Sequence, residues 1–332
     1  MTRLGLTALI ALASLASLTG APGPKFTYYL TGNAANVSAT TEFGLGLMGG
    51  GTDVDALFTW MSNRAGGGDF VVIRASGADG YNQYVYDLGD FDSVETLVLG
   101  TRAASSDPKV QETIRNADAL FVAGGDQSAY VNNWKDTPVE DLIHELANRG
   151  VPIGGTSAGT AILGEFLYSA QRKSVTSEAA LADPFSRDIT LDHEFLLLPL
   201  MGGLITDQHL IERDRMGRTL TFMARLVTDG WTTEPHAIAI DRETAVLVDA
   251  HGNASVVANA THPTPFAYFL RGGVPQVVSP KTPLTFTGVD VKRAAPGSTF
   301  DLGRWRGNGL TSYTLNVNGG VVTSTQPGGS IY

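Results

Sequence analysis

Short apolar runs alternate with amphipathic stretches from residue 26 to about residue 250, and this alternation restricts the possible folds more than any other feature. The apolar runs predict strands at 26–30, 45–48, 70–74, 96–99, 119–123 and 152–156. The stretches between them predict helices at 53–64, 108–117 and 138–148, each opened by a capping residue or a proline. Strands that alternate with helices predict an α/β fold with a mostly parallel sheet flanked by helices, in which ligands bind at the carboxyl ends of the strands.

The two ends of the chain differ from its middle in composition and in hydrophobic pattern. Residues 1–22 combine a basic start, a short apolar core and a small-residue exit, which predicts a secretory signal peptide and a secreted or periplasmic protein. Residues 23–261 are predicted to form the α/β domain. From 262 to 332, Pro, Gly and Thr separate short alternating runs, so we predict a small β-rich C-terminal extension packed on the main domain.

Composition excludes several classes of function. The formal net charge of −10 opposes a general affinity for nucleic acid or for an anionic membrane surface. The chain has no cysteine, which excludes disulfides, thiolate catalysis and cysteine zinc sites. A chain of 332 residues buries a sizeable core without such cross-links. The composition therefore favours a globular enzyme.

A glycine-rich pentapeptide carries the clearest chemical signal. Gly155-Thr156-Ser157-Ala158-Gly159 follows the buried run 151–154 and precedes a helix-like segment at 160–167. A strand, a tight turn and a helix in this order are the context of a nucleophile elbow, so Ser157 is the predicted nucleophile. A second glycine turn follows the strand at 119–123. There the backbone N–H of Gly125, together with that of Ala158, is predicted to stabilise an oxyanion.

A serine nucleophile requires a base, and His209 is the best of six histidines. It follows the apolar stretch 196–205, which places it at a strand end on the same edge of the sheet as the elbow. His193 is the main alternative. Three carboxylates remain open as the group that orients the base, namely Glu178, Asp207 and Asp241.

Three arginines follow the histidine within six positions, and they offer a site for anions. Arg215 and Arg218 are three residues apart on a predicted helix and so share a face with each other. The planar guanidinium suits capture of a carboxylate, so these residues and Arg213 are predicted to form a clamp. The alternative is a solvated helix face on which Glu212 and Asp214 neutralise the charge.

Several motifs taken together resemble one family, the cyanophycinase branch of the dipeptidase E-like serine peptidases. They occur in the expected order and are Gly49-Gly50-Gly51-Thr52-Asp53, Arg74-Ala75-Ser76-Gly77-Ala78-Asp79-Gly80, Gly124-Gly125-Asp126-Gln127, Gly155-Thr156-Ser157-Ala158-Gly159, Asp207-Gln208-His209 and Arg213-Asp214-Arg215-Met216-Gly217-Arg218. The resemblance implies a fold similar to class I glutamine amidotransferases, with serine in place of their cysteine. It also implies hydrolysis of cyanophycin, a poly-aspartate chain with arginine on each β-carboxyl, to β-Asp-Arg dipeptides.

The resemblance also implies roles for individual residues. Ser157 would be the nucleophile, His209 the base and Glu178 the third member of the triad. The substrate-binding residues would be Gln127, Asp207, Gln208, Arg215 and Arg218. No metal or organic cofactor is implied.

The sequence leaves three other functions open. An aspartyl or isoaspartyl dipeptidase would use the same site, whereas an esterase would take His251 or His262 as its base. A catalytically inactive, secreted polymer-binding protein is the non-enzymatic alternative. The expected partner is a polymeric or dipeptide substrate, without nucleic acid or, after signal cleavage, membrane. A homodimer is compatible with the sequence, which does not determine the oligomeric state.

Overall fold

The computed structural model describes residues 25–332, so the secretory signal predicted at 1–22 lies outside the described part. The first half of the chain forms β1 Thr27–Gly32, β2 Gly44–Met48, β3 Asp69–Arg74, β4 Ser93–Val98, β5 Ala119–Val122 and β6 Ile153–Thr156. Strands β2 to β6 are parallel and lie in the order β4-β3-β5-β6-β2. Strand β1 borders β4 in antiparallel orientation.

The helices of the described chain lie mainly between these strands. They are α1 Asp55–Ala65, α2 Asn82–Leu88, α3 Pro108–Asn116, α4 Gln127–Trp134, α5 Pro138–Asn148, α6 Ala158–Ala161, α7 Ser177–Ala182 and α8 Met216–Thr228, with short 3-10 turns at Arg102–Ser106 and Pro327–Gly329. Asp107 and Thr137 accept hydrogen bonds at the starts of α3 and α5, directly before a proline at the first helical position. Among residues 25–332, no helix is both long and apolar enough to cross a bilayer.

The second half of the chain extends the same sheet. It contributes β7 Phe166–Tyr168, β8 Leu191–His193, β9 Leu204–Gln208, β10 His236–Ile240, β11 Thr244–Asp249 and β12 Asn253–Ala258. Strand β11 pairs antiparallel with β2, and β9 lies parallel to both β7 and β10. Backbone hydrogen bonds from the residues that follow β6 and β9 to the end of β2 and to Gly49 bring the carboxyl ends of these three strands together.

The C-terminal strands are continuous with this sheet. They are β13 Ala267–Arg271, β14 Val277–Ser279, β15 Thr282–Asp301, β16 Arg306–Asn318 and β17 Val321–Ser324. Strand β13 pairs with β10 along its whole length, and the long β15 pairs with both β12 and β13. The predicted β-rich extension is thus hydrogen-bonded directly to the α/β sheet.

Alternating residues of the central strands bury opposite faces of the sheet. Val71 and Ile73 pack in the same cluster as side chains of α3 and α5, whereas Phe70 and Val72 pack with side chains of α1. Burying one such side chain stabilises the fold by about 1.5–3 kcal/mol. The prediction of an α/β fold with a mostly parallel sheet flanked by helices is confirmed for the central strands.

One predicted element is wrong in extent. The helix expected at 160–167 is the short α6, which ends at Ala161, and the chain then forms β7. Gly164 lies in the connection, where an added Cβ would approach the carbonyl oxygen of Leu204 to 2.7 Å. The connection therefore passes too close to β9 for a regular helix to continue.

Candidate active site

Ser157 occupies a strained turn between β6 and α6. Its φ of 51° and ψ of −117° lie in a region that residues with a side chain rarely adopt. The flanking glycines are required by close packing, because a Cβ at Gly159 would lie 2.0 Å from the carbonyl oxygen of Val122 and one at Gly155 would lie 2.7 Å from the carbonyl carbon of Gly159. The turn leaves the serine half-buried and open to a pocket.

The turn after β2 holds the serine and the histidine together. Ser157 N–H donates to the carbonyl oxygen of Met48 at 3.1 Å, and His209 N–H donates to that of Gly49 at 3.0 Å. Ser157 Oγ then lies 2.9 Å from His209 Nε2. Gly50 closes the contact from one side, since a Cβ there would lie 2.4 Å from His209 Nε2. The predicted meeting of Ser157 and His209 is therefore present in the structure.

The carboxylate beside the histidine is Glu212. Its Oε2 lies 2.6 Å from His209 Nδ1, while Glu178 lies exposed in the first turn of α7. The sequence-based choice of Glu178 is thus corrected. His209 adopts a left-handed φ of 53°, and the turn that follows returns Glu212 to the imidazole. The signal in the sequence that could have identified Glu212 is its position, three residues after the predicted base.

Asp241, another of the carboxylates considered, acts on the backbone of this turn. Its Oδ1 accepts hydrogen bonds from Ile211 N–H at 3.0 Å and from Glu212 N–H at 3.2 Å. Its Oδ2 lies 3.2 Å from His262 Nε2, which places His262 against Asp241 rather than against Ser157. Asp241 therefore positions the segment that carries Glu212.

The charges around His209 favour a neutral imidazole that can accept a proton. Burial lowers the pKa of His209, the hydrogen bond to Glu212 opposes this shift, and the charges of Arg213 and Arg215 add to it. Burial acts to raise the pKa of Glu212, but the hydrogen bond to His209 and the neighbouring arginines lower it overall. A hydroxyl, a neutral imidazole and an ionised carboxylate in this order are the groups that serine acyl transfer requires.

Backbone donors lie beside Ser157 at the positions predicted for an oxyanion site. An added Cβ at Gly124 would lie 3.6 Å from Ser157 Cβ, so the turn after β5 borders the serine directly. Gly125 and Ala158 both line the pocket in front of Ser157. The N–H of Ala158 is in the first turn of α6, where no acceptor within the helix is available.

The pocket has a volume of about 280 Å³ and a basic lining. Its lining residues are Gly125, Asp126, Gln127, Ser157, Ala158, Ala170, Arg172, Ser174, Gln208, Arg213, Arg215 and Arg218. The predicted residues Gln127, Gln208, Arg215 and Arg218 are all among them. Arg172 and Ser174, on the segment between β7 and α7, were not recognised in the sequence.

Asp207 does not line the pocket but lies beneath it. Arg218 donates to both of its carboxylate oxygens, and the hydroxyl of Thr219 donates to Oδ2 at 2.9 Å. Burial acts to raise the pKa of Asp207, but the Arg218 charge and hydrogen bonds lower it, so the carboxylate stays ionised. The interpretation of Asp207 as a group that contacts substrate is therefore corrected, because its oxygens are occupied.

The Arg215 side chain makes fewer hydrogen bonds within the protein than the Arg218 side chain. It precedes the first residue of α8, and its Nη1 donates to the carbonyl oxygen of Gln208 at 2.8 Å. Burial lowers the pKa of Arg215 to about 10, although the Asp207 carboxylate opposes this shift. The guanidinium therefore remains charged at neutral pH.

The C-terminal strands reach this site through Tyr332. Its hydroxyl donates to Asp214 Oδ1 at 2.6 Å and accepts from Met216 N–H at 3.4 Å. Arg293 on β15 in turn donates to the carbonyl oxygen of Tyr332 at 2.9 Å. The turn that carries the arginines is thus tied to the β-rich extension.

Within residues 25–332, no group of three or more His, Asp or Glu side chains is arranged to hold a metal ion. His193, the alternative base, lies against Trp231, with ring centroids 4.3 Å apart and the ring planes tilted by 56°.

Comparison with known proteins agrees with this geometry. The sequence profile of Peptidase family S51 matches residues 75–252, more than half of the chain. A cyanophycinase from Geminocystis herdmanii is 27% identical over 184 residues, covering 55% of this chain and 61% of that protein. A cyanophycinase from Synechococcus elongatus is 24% identical over 214 residues, covering 62% of this chain and 61% of that protein.

A solved structure shows the same fold. The peptidase from an acI-B1 Actinobacterium superposes with a TM-score of 0.53 at 14% identity, covering 79% of this chain and 98% of that one. This chain spans only 61% of the length of the two cyanophycinases. The match to the family profile, which includes the elbow and the Asp-Gln-His segment, shows that this chain belongs to peptidase family S51.

Proposed function

We propose that this protein is a serine exopeptidase that hydrolyses cyanophycin to β-Asp-Arg dipeptides. The observation that supports the proposal most directly is the hydrogen-bonded series Ser157, His209 and Glu212 at the mouth of an arginine-lined pocket. The similarity to two cyanophycinases supports the choice of substrate.

The proposed reaction is acyl transfer in two steps. Ser157 Oγ attacks the scissile carbonyl carbon while His209 Nε2 accepts the hydroxyl proton. The N–H groups of Gly125 and Ala158 stabilise the oxyanion, and the protonated histidine then gives its proton to the leaving amine. A water molecule attacks the acyl-enzyme with the same histidine as base, which releases the product acid and restores the serine.

Glu212 has a defined part in this scheme. Its hydrogen bond to Nδ1 fixes the tautomer that leaves Nε2 free to accept the serine proton. Its negative charge stabilises the imidazolium formed during attack. Because Asp241 holds the backbone of the same turn, the carboxylate is placed before substrate binds.

The lining of the pocket supports an acidic substrate. Four arginines line it, and Asp126 is the one acidic residue among the lining side chains of the described chain. Such a pocket favours a substrate rich in carboxylates, and each unit of cyanophycin carries a free carboxylate on its arginine branch.

Product analysis tests the proposal. Purified protein is incubated with insoluble cyanophycin, and the soluble products are identified by mass spectrometry, with Ser157→Ala as the control. We expect release of β-Asp-Arg by the wild type alone. Cleavage of α-aspartyl or isoaspartyl dipeptides without release from cyanophycin would instead support the dipeptidase.

Two further readouts separate the remaining alternatives. Turnover of simple esters that survives in His209→Ala but not in His262→Ala would support the esterase. A serine-directed phosphonate should label Ser157, because the hydroxyl is half-buried and in contact with the base. A folded protein that binds the polymer but takes up no label would support the inactive polymer-binding protein.

We also propose that residues 1–22 direct export, on the basis of their sequence pattern. An insoluble polymer outside the cell requires an enzyme outside the cell. Expression of the full chain followed by N-terminal sequencing of the protein in the periplasm or medium tests this. Recovery of uncleaved chain only from the cytoplasm would refute it.

A further inference from the structure

The four arginines of the pocket differ in how far the protein already neutralises their charge. Arg218 is ion-paired with Asp207, and Arg215 lies 3.9 Å from the same carboxylate. Arg213 lies 3.9 Å from Glu212, the carboxylate that is also hydrogen-bonded to His209 Nδ1. The charge of Arg218 is therefore neutralised within the fold by Asp207. The charges of Arg213 and Arg215 are only partly neutralised, because their carboxylate neighbours are 3.9 Å away.

Arg172 stands apart from this set. Its side chain is exposed and lines the pocket, yet within residues 25–332 it makes no ion pair and no side-chain hydrogen bond. A guanidinium that lines a catalytic pocket without an internal partner is available to an anionic group of a ligand.

The backbone on both sides of Arg172 is held in place. Gln171 N–H donates to Thr190 Oγ1 at 2.9 Å, which fixes the residue before it. The hydroxyl of Tyr168 lies 3.0 Å from the carbonyl oxygen of Lys173, which fixes the residue after it. Arg172 is thus carried by an ordered segment, although its own side chain is exposed.

The same segment is connected to the floor of the pocket. Arg218 Nη1 donates to Ser174 Oγ at 3.3 Å, and its guanidinium carbon lies 5.2 Å from the centre of the Tyr168 ring. Arg218 therefore supports the segment that presents Arg172. The two arginines have different roles, one in the fold and one at the surface of the pocket.

We propose that Arg172 binds the carboxylate of the arginine branch in the substrate and so selects β-linked aspartyl-arginine units. This inference rests on the proposed function. Because every β-carboxyl of the polymer carries arginine, the aspartyl backbone has a free carboxylate only at its C-terminal unit, close to the bond that an exopeptidase cleaves, and this suits the deeper Arg215. The branch carboxylate lies on the α-carbon of the arginine, beyond the β-amide and away from the backbone, and a rim residue on an exposed segment is the group placed to meet it.

Paired substrates test the inference directly. One is a synthetic dimer of β-Asp-Arg units with free branch carboxylates, and the other is the same dimer with argininamide branches. Arg172→Ala should lower kcat/KM on the free acid about tenfold, mainly through KM, because a charge-assisted contact is lost. On the amide the same variant should match the wild type within about twofold, because the carboxylate charge is already absent.

Two further variants complete the design. Arg172→Lys keeps the charge without the planar fork and should restore part of the loss. Lys173→Ala removes a positive charge from the neighbouring position, whose side chain does not line the pocket, and should leave kcat/KM on the free acid unchanged. Thermal unfolding of all variants shows whether the segment stays folded.

The outcomes separate the inference from the proposed function. If Arg172→Ala lowers kcat/KM equally on both dimers, or on neither, the inference fails while hydrolysis of cyanophycin by the wild type still stands. If the wild type cleaves neither dimer nor the polymer, the proposed function fails and the inference with it. An equal loss in Lys173→Ala would indicate a general charge effect and would also refute the role of Arg172.

Discussion

Replacement of Arg218 by alanine is expected to destabilise the fold before it changes substrate binding. Arg218 and Asp207 are each only 3% exposed, and the guanidinium donates to both carboxylate oxygens. Without the arginine, Asp207 is a buried charge that keeps Arg215 as a counter-charge only at 3.9 Å, without the hydrogen bonds that Arg218 donates. Breaking a buried ion pair in this way costs about 3–5 kcal/mol of unfolding free energy. The hydrogen bond to Ser174 is lost as well.

Urea denaturation at neutral pH measures this loss. Arg213→Ala is the matched control, because its guanidinium is half-exposed and lies 3.9 Å from Glu212. Removing an exposed pair of this kind should cost no more than about 1 kcal/mol. The double variant Arg218→Ala, Asp207→Ala removes both charges and should recover part of the loss. A cost for Arg218→Ala no larger than that of the control would refute the interpretation of a buried structural pair.

The pH dependence of this variant has a defined sign. In the wild type the pKa of Asp207 is lowered, against the effect of burial, so its contribution to stability is present at neutral pH and is lost as the pH falls through that lowered pKa. In Arg218→Ala, burial is less opposed and raises the pKa of Asp207. The variant should therefore gain stability relative to the wild type as the pH is lowered from neutral. A difference that stays constant with pH would contradict this account.

Three other substitutions test the site. Glu212→Gln should lower kcat about 100-fold. It should also move the acid limb of the pH–rate profile to lower pH, because the hydrogen bond from Glu212 raises the pKa of His209. An acid limb that does not move would contradict this role. Gly50→Ala should reduce turnover to that of His209→Ala, because its Cβ would lie 2.4 Å from Nε2; near-normal kcat would refute the contact. Tyr332→Phe should lower the free energy of unfolding by about 1 kcal/mol, because the hydrogen bond to Asp214 is lost. An unchanged melting temperature would show that this bond does not stabilise the fold.

Local patterns in the sequence were sufficient for the central fold and for the two reacting groups. The apolar runs and the proline-opened helices identified β2 to β6, α3 and α5, because side-chain periodicity and capping act over a few residues. The elbow was readable because its glycines are needed by backbone contacts within the motif itself. Ser157 and His209 meet because both follow parallel strands that end at the same edge of one sheet.

The tertiary structure alone decided which charged side chains complete the site. The left-handed turn at His209 selects Glu212 over Glu178, and no periodicity in the sequence encodes that change of direction. Burial and the ion pair between them make Asp207 and Arg218 part of the fold, and of the two only Arg218 also lines the pocket. Arg172 reaches the pocket from a segment far along the chain from the arginine cluster. Charged side chains are long and their partners are set by packing, so their neighbours are fixed only when the strands have assembled.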